Sequence, residues 1–230
     1  MRVEPGIPFE RAAPFLPADP IIIEAGASNG MDLAPILAVW PNATIHAFEP
    51  EPYAFQQLSA RASELRNVHA WNLALGDCDG TTTLNVSDGV GYGTTASSLL
   101  RPATVLNELP MLAFTPTTIE QRTLDSWANE NAVDDIGLMA LDMQGAEYVA
   151  LNASRHVLRN TRVVITEAFL QNYYEGVATV DRLQALLAGE GFVITDINLY
   201  WNTTYEMLAV RRDILDEAVM TGRFNARARA

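Results

Sequence analysis

Residues 21–30 read IIIEAGASNG, and the fold turns on how this stretch is read. Three β-branched isoleucines in succession fit a short strand buried on both faces. The strand ends at Glu24, and Gly26, Ala27, Ser28, Asn29 and Gly30 then turn the chain into an expected helix. Glycine at such a turn frees φ and lets backbone approach a ligand, while the start of the helix offers free N–H donors. A ligand-free βα turn is the competing reading, and two acids weigh against it. Glu24 stands where a dinucleotide turn of the G-x-G-x-x-G type has its first glycine, a poor match to a pyrophosphate site. Glu49 ends the next apolar run, ATIHAFEP over 43–50, where a carboxylate can accept hydrogen bonds from both hydroxyls of a ribose. Together they point to a nucleoside-type ligand, and anionic strand ends favour one that carries positive charge.

The 230 residues are 49% hydrophobic, enough for one domain with a sizeable core. A formal net charge of -13 argues against broad nucleic-acid binding and against an anionic membrane surface. The lone cysteine, Cys78, excludes an internal disulfide and a multi-cysteine zinc site, and a reducing cytoplasm is the expected compartment. No apolar run is long enough to span a membrane, and the proline-rich start lacks the apolar core of a signal peptide. We read residues 1–20 as an irregular arm or lid, 21–220 as a single domain, and 221–230 as a frayed tail.

Beyond the first turn, Leu33, Ile36, Leu37 and Trp40 recur at helical spacing, with Pro35 near the helix start. A second helix over 50–65 offers Tyr53, Phe55, Leu58 and Leu65 to the core. Residues 67–75 read as a third strand and 81–86 as β-rich. The Gly, Ser and Thr-rich run that follows reads as a surface loop or a cover over the ligand. A short strand is expected at 117–121, then a helix capped by Thr123 or Asp125. Strands at 137–142 and 162–167 flank a helix over 143–158. A helix at 180–189, an antiparallel hairpin of 192–197 with 205–210, and a helix at 213–220 complete the chain. This alternation predicts an α/β fold, a Rossmann-like doubly wound and mostly parallel sheet of about seven strands with a C-terminal antiparallel strand. Glu24, Glu49, Asp142 and Glu167 each end a strand and are expected along one rim, where such sheets bind ligands.

The blocks EAGASNG (24–30), FEPEPYAFQQL (48–58), TLDSWANENAVDDIGLMALDMQGAE (123–147) and TYEMLAVRRD (204–213) resemble the FkbM-type S-adenosylmethionine-dependent methyltransferases. That family's signature after the fourth strand is D-x-E-G-A-E. Here it runs from Asp142 to Glu147, with Gln144 in place of the usual acid. The resemblance spans about 21–213 and implies a class I methyltransferase-like sheet with S-adenosylmethionine as cofactor. By position, it implies that Glu24, Gly26, Ala27, Ser28, Asn29 and Gly30 hold the methionine portion. Glu49 would bind the ribose, with Pro50 and Tyr53 beside it. The segment 72–77, with Asn72, Ala74 and Leu75, would flank the adenine. Asp142, Met143 and Gln144 would border the methyl group and the acceptor. Family members act mostly as O-methyltransferases on sugars, polyketides and other natural products.

Methyl transfer to an alcohol asks for alignment, and for a base or a metal near the hydroxyl. Asp142 and Glu167 are the candidate catalytic carboxylates, and a divalent metal between them stays open. Glu147 is a further acid, with Arg155 as an expected partner. His46, His69 and His156 are poorly placed as bases. Tyr173, Tyr200 and Trp201, in the aromatic runs 171–176 and 199–205, are candidate substrate contacts. The expected partner is a small-molecule hydroxyl acceptor, not nucleic acid or membrane; a homodimer is open. Two other readings remain, an NAD-dependent oxidoreductase on the same sheet and a cofactor-binding module without catalysis. The first lacks both G-x-G-x-x-G and a Tyr-x-x-x-Lys relay, since the chain has no lysine.

Overall fold

The computed structural model describes residues 6–89, 93, 95–201 and 204–224, without the side chains of Tyr200 and Trp201. Substrate contacts expected from those two side chains therefore lie outside the described residues, as do 1–5 of the arm and 225–230 of the tail.

The isoleucine run forms β1 (Ile21–Ala25), and its turn leads into α1 (Leu33–Val39). There follow β2 (Thr44–Phe48), α2 (Pro52–Ala62) and β3 (Val68–Trp71). The central part of the chain holds β4 (Ala74–Leu75), β5 (Gly80–Asp88), α3 (Val105–Glu108), β6 (Ala113–Arg122) and α4 (Leu124–Asn131). Then come β7 (Ile136–Leu141), α5 (Glu147–Ala153), α6 (Arg155–Arg159) and β8 (Thr161–Phe169). The C-terminal part is α7 (Val180–Gly189), β9 (Phe192–Trp201), β10 (Thr204–Arg211) and α8 (Arg212–Met220).

Seven strands form one sheet in the order β3-β2-β1-β7-β8-β10-β9. The first five are parallel, and β10 enters antiparallel between β8 and β9. The pleat sends alternate residues to two cores. Ile22, Leu138, Val163 and Leu208 face one, while Ile23, Met139, Val164 and Met207 face the other. Both faces are thus buried, which is why these strands are unbroken apolar runs.

The expected third strand divides in two. After Trp71 the chain leaves the sheet, because Asn72 Nδ2 donates to the carbonyls of Glu49 (2.9 Å) and Pro50 (3.1 Å). Ala74 and Leu75 then join a second sheet, β4-β6-β5, whose long β5–β6 hairpin pairs Gly80 with Gln121 through to Asp88 with Ala113. The expected helix over 143–158 also divides, at the buried Ser154. Its Oγ accepts from Leu124 N–H (2.9 Å), while Asp125 accepts from Val157 N–H (2.8 Å). Two helix starts cap each other, and Thr123 caps α4 itself. Arg155 pairs with Glu190 and not with Glu147. Tyr53, expected in the core, is 66% exposed, since the buried stripe of α2 is Ala54, Leu58 and Ala62. His69 is exposed and stacks on His46, with ring centroids 5.0 Å apart.

The described part of the arm holds two 3-10 turns, Phe9–Arg11 and Ala13–Phe15, and buries Ile7, Ala12, Phe15 and Leu16 against the sheet. Phe224 closes over it, its ring 5.0 Å from that of Phe15. The arm is therefore part of the core. Phe15→Ala should cost about 3–5 kcal/mol and lower the melting temperature by about 10 °C. An unchanged melting curve would show that the arm contributes nothing to stability.

Candidate functional site

The tips of β1 and β7 meet backbone to backbone. Asp142 N–H donates to Ala25 O at 2.9 Å, and a Cβ on Gly26 (φ +82°) would fall 1.8 Å from Asp142 O. Only glycine fits there. Gly30 serves packing, since its Cβ would press on Leu58 of α2, and Ala27 points into the core. The N–H groups of Gly26 and Ala27 both donate to Phe48 O at 3.0 Å, which ties the turn to the tip of β2.

At that tip Glu49 is buried, with Ser28 N–H donating to Oε2 (2.8 Å) and Glu51 N–H to Oε1 (2.7 Å). Burial nonetheless carries its pKa up to about 7. Glu24 is more extreme. It is 4% exposed, neither carboxylate oxygen has a partner among the described residues, and burial, Asp32 and Glu49 hold its pKa well above normal. An orphaned buried carboxyl is costly unless something else is meant to meet it.

Asp142 and Glu167, from the tips of β7 and β8, are joined by Gln144. Its Nε2 donates to Asp142 Oδ1 (2.7 Å) and Glu167 Oε2 (3.0 Å), and Tyr174 Oη lies 3.1 Å from its Oε1. Gln144 adopts φ +52°, and Ser98 Oγ holds its carbonyl at 2.7 Å. Desolvation raises the pKa of both acids; the Gln144 hydrogen bond draws Asp142 part of the way back, while the charges of Asp142 and Glu147 push Glu167 further up. Asp142 is exposed to the cleft. Glu147 is buried, accepts from Met143 N–H (2.7 Å), and is pushed by burial to about 8.

Three clefts, cavities open to solvent, converge on Asp142. The first runs from Gly26, Ser28, Glu49 and Pro50 past Ala74, Leu75, Met143 and Gln144. The second lies beyond Gln144, between Glu167, Phe169, Tyr173, Tyr174 and Glu108, with Tyr173 Oη donating to Glu108 (2.6 Å). The third lies under the arm, between Glu24, Asp32, Glu167 and Glu206. Among the described residues, no basic side chain lines any of them.

The structure therefore brings Gly26, Ser28, Glu49, Pro50, Ala74, Leu75, Asp142, Met143, Gln144, Glu167 and Tyr173 to the cleft. Glu24 faces the third cavity. Asn72 acts one step back, through its clamp on Glu49. Ala27, Asn29, Gly30 and Tyr53 line none of the cavities. Tyr174 stands with Tyr173 in the aromatic run 171–176 already singled out, whereas Asp32, Glu108 and Glu206 carried no signal in the sequence. Among the described residues, no group of three or more His, Cys, Asp or Glu is arranged to hold a metal ion.

Carboxyls with a raised folded pKa favour the folded state while protonated, so their stabilisation is present below the unfolded value and lost as pH rises through the folded one. Glu49 and Glu206 at about 7 and Glu147 at about 8 set the window. The melting temperature should fall between pH 5 and pH 8, with Glu49 alone contributing about 3 kcal/mol. A melting temperature that rises over this range would contradict the buried acid cluster.

Among solved structures, the chain is similar to the fibrillarin/NOP5P complex, with TM-score 0.52 and 13% identity over 85% of this chain and 74% of that one. It is also similar to the Methanococcus jannaschii fibrillarin pre-rRNA processing protein, with TM-score 0.50 and 11% identity over 86% and 69%. At those identities the likeness shows the fold alone, that of the class I methyltransferases. In sequence the chain is 30% identical to the 2-O-methyltransferase NoeI of Sinorhizobium fredii over 162 residues, 69% of this chain and 67% of that protein. The methyltransferase FkbM domain matches residues 24–194. On that match the chain belongs to the FkbM family of S-adenosylmethionine-dependent methyltransferases.

Proposed function

We propose that the chain methylates a hydroxyl oxygen of an uncharged small molecule, such as a sugar or polyketide. The observation that carries this reading is the place of Asp142, the one carboxylate that lines both the first and the second cavity. The relative's description as a 2-O-methyltransferase supports the choice of oxygen. The second cavity, walled by Glu108, Glu167 and tyrosines with no basic group among the described residues, disfavours phosphorylated or carboxylated acceptors.

The residues present fit the cofactor. Glu24, unpartnered and buried, calls for a cation at the methionine end, beside the turn of Gly26, Ala27, Ser28, Asn29 and Gly30. Glu49 keeps free lone pairs for the ribose hydroxyls, with Pro50 and Asn72 fixing it. Ala74, Leu75 and Met143 give an apolar slot for the adenine. The cofactor, when bound, supplies a sulfonium-activated methyl group. The chain's part is to align the acceptor and take its proton. Asp142 accepts the hydroxyl proton as the new C–O bond forms and the C–S bond breaks. Gln144 ties Asp142 to Glu167 and holds it in place, and Tyr173 lines the acceptor side.

The test is transfer of labelled methyl from S-adenosylmethionine to matched neutral glycosides, uronates and sugar phosphates. Label confined to the charged members would overturn the acceptor assignment. Asp142→Asn should lower turnover at least about 100-fold and leave cofactor affinity nearly intact; equal turnover would remove Asp142 as base. Cofactor affinity should weaken as the pH falls through about 7, where Glu49 takes up its proton. Glu49→Gln should weaken that dependence in a calorimetric titration, leaving the part carried by Glu206, also near 7.

A further inference from the structure

We propose that Tyr174 is a positioning residue for the methyl transfer. Its phenol O–H fixes the Gln144 side-chain amide with both N–H groups turned to Asp142 and Glu167, and ties that amide to a strap over residues 95–99. Its place in the reaction rests on the reading of Asp142 as the base. An amide carries two donors at one end and an acceptor at the other, and half a turn about its last bond exchanges them. Gln144 spends its donors on Asp142 Oδ1 (2.7 Å) and Glu167 Oε2 (3.0 Å). Its Oε1 then faces Tyr174 Oη at 3.1 Å, the one donor to it among the described residues. The exchanged orientation would set Oε1 against two carboxyls. Burial and the charges of Glu167, Asp142 and Glu147 raise the pKa of Tyr174, so the phenol keeps its proton.

The ring that presents this hydroxyl is itself held. Tyr174 is 1% exposed and stands edge-on to Phe169, with ring centroids 6.2 Å apart. A Cβ on Gly145 would lie 3.4 Å from its Cδ2, and Glu175 N–H donates to Arg101 O (2.8 Å) just beyond it. Tyr174 Oη also lies 3.0 Å from Ala96 O. That carbonyl and Gln144 Oε1 can only accept, so one proton serves both. The strap alternates. Thr95, Ser97 and Leu99 line the first cavity, while Ala96 meets Tyr174 and Ser98 Oγ donates to Gln144 O (2.7 Å). Its outer side is fixed to β5, where Asn85 N–H donates to Ser98 O (2.9 Å) and Ala96 N–H to Ser87 Oγ (3.1 Å). The wall of the first cavity and the orientation of the acid pair thus meet at one hydroxyl.

Tyr174→Phe removes that hydroxyl and keeps the ring. The first readout is the pair of Gln144 side-chain N–H signals in glutamine-labelled protein, assigned by their absence from Gln144→Glu. In the wild type the two should be well separated and slow to exchange with solvent. In Tyr174→Phe they should approach the positions of a free amide and exchange about tenfold faster, the worth of one hydrogen bond. The second readout is transfer of labelled methyl to the neutral glycoside used most rapidly by the wild type. Tyr174→Phe should lower kcat about tenfold and leave KM and cofactor affinity unchanged. Gln144→Leu should lose as much, and adding Tyr174→Phe to it should lose nothing more. Free-amide signals in the wild type itself would overturn the proposal without any variant. So would unchanged Gln144 signals in Tyr174→Phe with faster exchange confined to the Ala96 and Ser98 backbone, or losses that multiply in the double variant. Full turnover by Asp142→Asn would overturn the base, and with it the catalytic role, whereas the amide signals alone decide the orientation.

Discussion

The close approach of two backbones, at Gly26 and at Asp142, is the constraint on which the rest depends. The parallel ladder between β1 and β7 runs one step past their ends, so two turns that begin on different strands share a wall. The first turn takes its shape from positive φ at Gly26, Ser28 and Gly30, the second from Gln144 and Gly145. Non-glycine residues in this region cost energy and persist only where surroundings hold them. Ser28 is held by Glu49, and Gln144 by Ser98, Asp142 and Glu167. The conformation of the cleft and its charged groups are thus one network.

That network is acidic throughout. Glu24, Asp32, Glu49, Asp142, Glu147, Glu167 and Glu206 crowd the ends of five strands, and burial raises the pKa of each. Arginines lie elsewhere, as in the pairing of Arg155 and Arg159 with Glu190. The apoprotein relieves the repulsion by holding protons, and a cationic ligand offers a second way of relieving it. Gln144 fits the same logic, because its amide donates to two carboxyls where a third acid would add to the repulsion.

The sheet and its acidic rim were legible because four of the five parallel strands are apolar runs closed by a carboxylate, at Glu24, Glu49, Asp142 and Glu167. What escaped depends on contacts distant in sequence. Ser154 breaks a helical pattern only because Leu124 needs a partner for its N–H. Asn72 ends β3 only because the carbonyls at the tip of β2 lie beside it. Tyr53 matched the helical period loosely, one position off the Ala54–Leu58–Ala62 stripe. Glu206 gave no signal at all, as it ends no apolar run and meets its partner, Ile7 N–H, 199 residues away.

That separation also governs when the site comes into being. The pairing of β10 between β8 and β9 puts one of the last strands made into the middle of one half of the sheet. The strand that carries Glu206 leaves the ribosome after every other wall of the cleft. Until then β8 presents an open edge, the arm lacks its contact with Glu206, and Phe15 has no Phe224 above it. A chain that stops short of β10 therefore lacks both the neighbour of β8 and the Glu206 wall of the third cavity.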